Sequence, residues 1–147
     1  MDDTFTLISR THEQVRRFIA QELRQRGFQG IEASHGNVIY SLMQCGELSM
    51  NEMAQKTYRT PQTVTCLVRK LVEQGYVETE KSREDSRITM ARLTARGEHL
   101  ASVIYQISET IYEIQYEGTT AAEVEVLRSA LSRMYGNFTN ALVNRSR

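Results

Sequence analysis

The chain has 147 residues, with 18 Lys plus Arg balanced by 18 Asp plus Glu and 40% apolar residues. That apolar share builds a core and excludes a disordered tail, while no run reaches the roughly 18 consecutive apolar residues that a membrane span needs. The acidic start Met1-Asp2-Asp3 is the reverse of a secretory signal and two cysteines are too few for a disulfide scaffold or a thiolate zinc site, so the expectation is a cytoplasmic protein with reduced thiols.

Only Pro61 and eight glycines interrupt the chain, and the long segments between them read as helices. Residues 4–26 carry Phe5, Ile8, Val15, Ile19 and Leu23 at steps of three, four or seven, an amphipathic stripe that includes His12 and stops at Gly27. Ser34 is the expected N-cap of a second helix burying Val38, Ile39, Leu42 and Met43 and ending at Cys45-Gly46. Ser49 and Glu52 have capping-box spacing and open a short helix through Thr57. Thr60-Pro61 then reads as an N-cap followed by a proline at the first helical position, opening a helix that runs to Gly75.

Residues 76–81 and 88–93 have strand composition, and the polar segment 82–87 between them makes a long-tipped hairpin. Thr94 caps the next helix, in which Leu100, Ile104, Ile107, Ile111 and Ile114 recur every three or four residues up to Gly118. Thr120 and Glu123 form a second capping box, and the last helix presents Val124, Leu127, Leu131, Met134, Phe138 and Leu142. The fold class is mainly α with a small β-hairpin wing. Residues 34–97 read as a winged helix-turn-helix domain, and residues 1–33 and 98–147 as long terminal helices whose stripes need cover, which a symmetric homodimer supplies.

Zero net charge argues at first against a nucleic-acid partner, but the distribution is uneven. Between residues 59 and 96, eight Lys and Arg face five Asp and Glu, a surplus of three positive charges offset in the flanking segments. Phasing the helix after Pro61 at 100° per residue puts Val64, Leu67, Val68 and Leu71 inward. Gln62, Thr63, Thr65, Cys66, Arg69, Lys70 and Glu73 then lie outward, with Thr60 at the cap. Gln, Thr and Arg are groove-reading side chains, though the same residues also populate ordinary solvated helix faces. Arg83 and Arg87 at a protruding hairpin tip suit a minor groove, whose potential attracts arginine.

The sequence resembles the MarR family of bacterial winged-helix regulators. The resemblance lies in Leu48-Ser49-Met50-Asn51-Glu52-Met53-Ala54, in residues 63–71 with Gly75-Tyr76-Val77, and in Asp85-Ser86-Arg87 followed by Leu93-Thr94 and Gly97. It implies a homodimer that binds a pseudo-palindromic operator in double-stranded DNA, with the helix over residues 60–74 reading the major groove. It implies that Arg87 enters the minor groove with Asp85 controlling its approach, and that a small phenolic or aromatic effector lowers DNA affinity. A transcriptional repressor is the implied role. Thr79 and Cys66 stand where members often carry arginine, which puts DNA affinity and operator sequence in question.

Two other readings stay open: a winged-helix protein-interaction module without DNA binding, and a redox regulator acting through Cys66. Cys66 faces outward with no charge nearby in sequence that clearly activates it, and Cys45 is expected to pack as a small hydrophobe. His12, His35 and His99 lack metal-ligand spacing, and His12 is expected to be a hydrogen-bonded structural residue. There is no glycine-rich phosphate loop and no nucleophile with an evident base, so neither an enzyme nor a cofactor is expected, and no ligand-binding residues are assigned.

Overall fold

Local capping chemistry sets most element boundaries. Ser49 Oγ accepts the Glu52 amide at 3.3 Å while the Glu52 carboxylate accepts the Ser49 amide at 2.8 Å, and Thr120 and Glu123 repeat the exchange at 3.3 and 2.8 Å. Thr60 Oγ1 takes the Thr63 amide ahead of Pro61, and Thr94 Oγ1 takes that of Gly97. The resulting computed structural model describes residues 3–145, so the Met1-Asp2 start lies outside the described residues. Its elements are α1 (Thr4–Gln25), α2 (Ala33–Cys45), β1 (Glu47–Ser49), α3 (Met50–Thr57), α4 (Pro61–Glu73), β2 (Val77–Lys81), β3 (Thr89–Leu93), α5 (Ala95–Gln115) and α6 (Ala121–Arg145).

Two of these boundaries differ from expectation. Helix α2 starts two residues earlier than a Ser34 cap would have it, because Glu32 occupies the cap position and its amide donates to Nδ1 of His35 at 3.1 Å. The imidazole of His35 thus takes the part that Glu or Gln plays at the third helical position of a capping box. The sheet has three strands instead of a two-stranded hairpin, in the order β1-β3-β2 and antiparallel throughout. In register, Glu47, Arg92 and Glu78 form one row across the sheet and Leu48, Ala91 and Thr79 the next. Alternation then puts Leu48 and Ala91 into the core and leaves Glu47, Arg92 and Glu78 outside.

The chain divides into two compact units, with the break between Glu109 and Thr110. In the first, Leu23, Val38, Ile39, Leu42, Met53, Val64, Leu71, Val77 and Leu100 are fully buried, so α1, α2, α3, α4, β2 and α5 share one core. Of the four α4 anchors expected from its phase, Val64, Val68 and Leu71 are buried and Leu67 is only half-buried. The junction between β3 and α5 is tightly made. Thr94 Oγ1 donates to the Gly75 carbonyl at 2.6 Å, its amide donates to the Tyr76 carbonyl at 3.1 Å, and a Cβ built on Gly97 would run into that same Tyr76 carbonyl. The Leu93-Thr94-x-x-Gly97 motif is thus a backbone-to-backbone approach that only glycine permits.

In the second unit α6 buries none of its residues, and Leu127, Leu131, Phe138 and Leu142 lie exposed along it. In the first, α1 buries only Leu23 and leaves Phe5, Leu7 and Ile8 exposed, with His12 exposed on the same helix. Cys45 is also exposed, against the expectation that it packs inside; it closes α2 just before Gly46, where the chain turns out of the core. No helix among the described residues is long and apolar enough to cross a membrane, and none of their His, Cys, Asp and Glu side chains form a group of three able to hold a metal.

Candidate nucleic-acid interface

The first turn of α4 is built from threonines. The Thr60 and Thr63 hydroxyls lie 2.9 Å apart, and Thr65 donates its hydroxyl to the Pro61 carbonyl at 2.8 Å, so Thr65 presents its methyl and oxygen lone pairs outward. Gln62 is exposed beside them, and Cys66 and Arg69 continue the outer face one turn on. Arg69 Nη2 lies 3.8 Å from the Cys66 sulfur, which supplies the positive neighbour that inspection of the sequence did not find. Lys70 is half-buried, its ammonium close to Gly30, at the margin of this face.

The wing tip is folded around one carboxylate. Asp85 Oδ1 accepts the Arg87 amide and its Nε, both at 3.0 Å, and Oδ2 accepts Nη2 at 2.8 Å. This pairing holds the Asp85 carboxyl below the usual carboxylate range and the Arg87 guanidinium above its own. The Arg87 side chain is 89% exposed, so the fork is presented to solvent while its root is fixed. Ser82 donates its amide to Ile88 at 2.9 Å and Ile88 donates to the Asp85 carbonyl at 2.9 Å, which closes the tip with Arg83 exposed on it. Thr60, Gln62, Thr63, Thr65, Cys66 and Arg69 thus share one helix face, and Arg83, Asp85 and Arg87 share one loop.

Between the two, Thr79 faces Thr65, Arg69 and Val72 across a groove of about 380 Å³. Arg69 is the cation that lines this groove beside Thr79.

Two of the eight basic residues counted from sequence are engaged elsewhere. Arg92 is held by Glu78 at 2.6 Å and Glu80 at 3.1 Å with Glu47 opposite it, and these carboxylates keep its guanidinium above the ordinary value. Arg96 stacks on the Tyr76 ring at 4.8 Å. Hairpin register could have revealed the first, since Glu78 sits directly across from Arg92. The second is a long-range contact with no local signal. A separate cleft of about 750 Å³ lies in the first unit, lined by Leu42, Met43, Leu93, Ala101 and Tyr105 together with Arg92 and Glu98.

Comparison with known proteins places this geometry. Residues 29–88 match the MarR family model. The HTH-type transcriptional repressor IacR of Pseudomonas putida is 26% identical over 107 residues, which are 73% of this chain and 64% of that protein, short of two-thirds of its length. A mutant of E. coli MarR solved with operator DNA superposes with a TM-score of 0.78 at 21% identity, covering 88% of this chain and 91% of that one. Bordetella bronchiseptica BpsR, whose DNA binding is regulated by 6-hydroxynicotinic acid, gives 0.78 at 19% identity over 90% and 92% of the two chains. At such identities the structural likenesses establish the winged-helix fold.

Proposed function

We propose that this chain, whose residues 29–88 match the MarR family model, is a homodimeric, sequence-specific DNA-binding regulator of transcription of that family. The observation that carries this reading is the Asp85–Arg87 pair, an exposed guanidinium anchored at a loop tip next to a polar helix face. Residues 34–97 dock on DNA, α4 lying in the major groove through Gln62, Thr63, Thr65, Cys66 and Arg69 while Arg83 and Arg87 reach the adjacent minor groove. Thr60 sets the helix start and Lys70 adds charge at its edge. The segments 1–33 and 98–147 carry the apolar faces that a second copy covers, and two-fold symmetry matches a pseudo-palindromic operator.

The protein acts negatively on transcription, a role that the similarity to the transcriptional repressor IacR supports; it works in the cytoplasm and is not an enzyme. A small aromatic effector enters the 750 Å³ cleft and favours a spacing of the two α4 helices other than the roughly 34–36 Å that one duplex turn demands, so it lowers operator affinity by linkage. The test is titration of a duplex from the region upstream of the gene, in low and moderate salt. Affinity that falls steeply with salt supports the reading, and no binding at low salt favours a protein-interaction module instead.

The 3.8 Å approach of Arg69 to the Cys66 sulfur favours one second reading, a redox-sensitive DNA face. Oxidation of Cys66 would add a charged, bulkier group where the groove must fit. Peroxide that releases DNA from the wild type and leaves Cys66→Ser bound supports it; equal release of both removes it.

A further inference from the structure

The cleft of about 750 Å³ carries two charged residues on a mostly apolar wall, and the two are not equivalent. Leu42 and Ala101 are buried behind it, Met43 and Leu93 are half-buried, and the Tyr105 side chain is 48% exposed beside them. Arg92 is the cation, but its guanidinium is held by Glu78 at 2.6 Å and by Glu80 at 3.1 Å, with Glu47 across the sheet from it. Three carboxylates thus surround one positive charge, and little of it is left to attract an anion. Glu98 is the anion. It is exposed, its amide donates to the Thr94 carbonyl at 2.8 Å, and its carboxylate is paired with no cation among the described residues.

A molecule in this cleft meets apolar contact on most sides, one aromatic ring and one negative charge that nothing neutralises. We propose that the cleft takes a lipophilic cation, a small aromatic molecule bearing a protonated amine, with its ring against Leu42, Met43 and Leu93 and its ammonium group between the Glu98 carboxylate and the Tyr105 ring. An aromatic carboxylate of the same shape approaches Glu98 without gaining a free cation, and repulsion between the two like charges selects against it. The balance of charge around the cleft, more than its size, is then what chooses the occupant. That this occupant acts as the effector rests on the DNA-binding reading above; its binding to the cleft does not.

The experiment uses the full chain with naphthylmethylamine, naphthylmethanol and naphthoate of one ring isomer, three probes that share a ring system and differ in charge. Each is titrated by calorimetry without DNA, and then against the chain bound to the upstream duplex. The amine should bind roughly three- to tenfold tighter than the alcohol, as one partly exposed ion pair with a ring contact allows, and the carboxylate more weakly than the alcohol. Glu98→Gln should bring the amine down to the affinity of the alcohol, while Arg92→Gln, which releases Glu78 and Glu80, should leave the amine bound at least as tightly. Both positions are exposed, so both variants should fold, and thermal melts check it. Equal affinity for amine and alcohol, unchanged amine affinity in Glu98→Gln, or no binding of any probe overturns the inference. A preference for the carboxylate that Arg92→Gln abolishes overturns it as well and makes the cleft an anion site. If the amine binds as expected and the duplex stays bound, the cation site stands and its effector role falls. A wild type that binds no duplex at low salt overturns the DNA-binding reading, and the calorimetry still decides the cleft.

Discussion

Asp85 and Arg87 are joined by four hydrogen bonds across a separation of two residues, one from the backbone amide and three from the guanidinium, all between 2.8 and 3.2 Å. The tip of the wing is thereby a preset fork and not a swinging side chain. Fixing a long arginine before it meets its target removes part of the entropy cost of ordering it at the interface.

The first prediction concerns that fork. Arg87→Ala should lower duplex affinity on the order of tenfold or more and reduce the salt slope by roughly 0.9 per subunit, about 1.8 for a dimer. Its Tm should match the wild type, because the side chain is almost wholly exposed. Asp85→Asn should keep the salt slope or steepen it, since it removes a negative charge from the interface, yet bind less well because the fork is no longer set. Mobility-shift titrations at three salt concentrations measure both.

A pH dependence of stability should come from His35. The residue is buried, and its imidazole is held below the ordinary histidine value of 6.5 mainly by burial, then by Lys70 of α4 and by Arg59, with Glu32 opposing. Folding therefore favours the neutral ring, whose Nδ1 accepts the Glu32 amide. The unfolded chain binds the proton more readily, so this contribution is complete above pH 6.5 and is lost as pH falls below it toward the folded value. His35→Gln should keep the acceptor at the third helical position and flatten the stability profile between pH 5 and 7; urea unfolding across that range decides it.

Gly97→Ala should be among the most damaging single-methyl changes. The added Cβ meets the Tyr76 carbonyl, which is backbone and cannot swing away. A loss of roughly 2–4 kcal/mol is expected, as for other overpacked sites, with a correspondingly lower denaturant midpoint. The same change at Gly136, where a Cβ meets nothing within 4 Å, should cost little and serves as the control.

Leu131→Glu tests the dimer. Leu127, Leu131, Phe138 and Leu142 line α6 and are exposed in one protomer, so a charge among them should convert a dimer into monomers by sedimentation velocity. Since two adjacent half-sites are then no longer held together, duplex affinity should fall with it.

Local signals explain why so much of the fold was legible in the sequence. Ser49 with Glu52, Thr60 with Pro61, and Thr120 with Glu123 each act within three residues, so their spacing carries their function. The α4 phase was legible for the same reason, and with it the outward placement of Gln62, Thr65, Cys66 and Arg69. The cap at His35 was not, because it depends on a ring kept neutral by burial, and burial is a property of the whole core. Strand β1 is only three residues long, too short to show a period, and is defined by pairing with β3 more than forty residues on. The lost cations differ: hairpin register places Glu78 across from Arg92, whereas nothing near Arg96 announces that the Tyr76 ring will claim it.

The row Glu47–Arg92–Glu78, with Glu80 beside it, lies on the sheet surface opposite the one that bears Thr79. Three carboxylates around one guanidinium leave that row negative, while Arg69 lies beside Thr79 on the other face and Arg87 stands at the tip. A wing arranged like this has a direction in an electric field. On the DNA-binding reading, a polyanion that approaches from the glutamate side is repelled and one that approaches from the α4 side is drawn in, although the chain carries zero net charge.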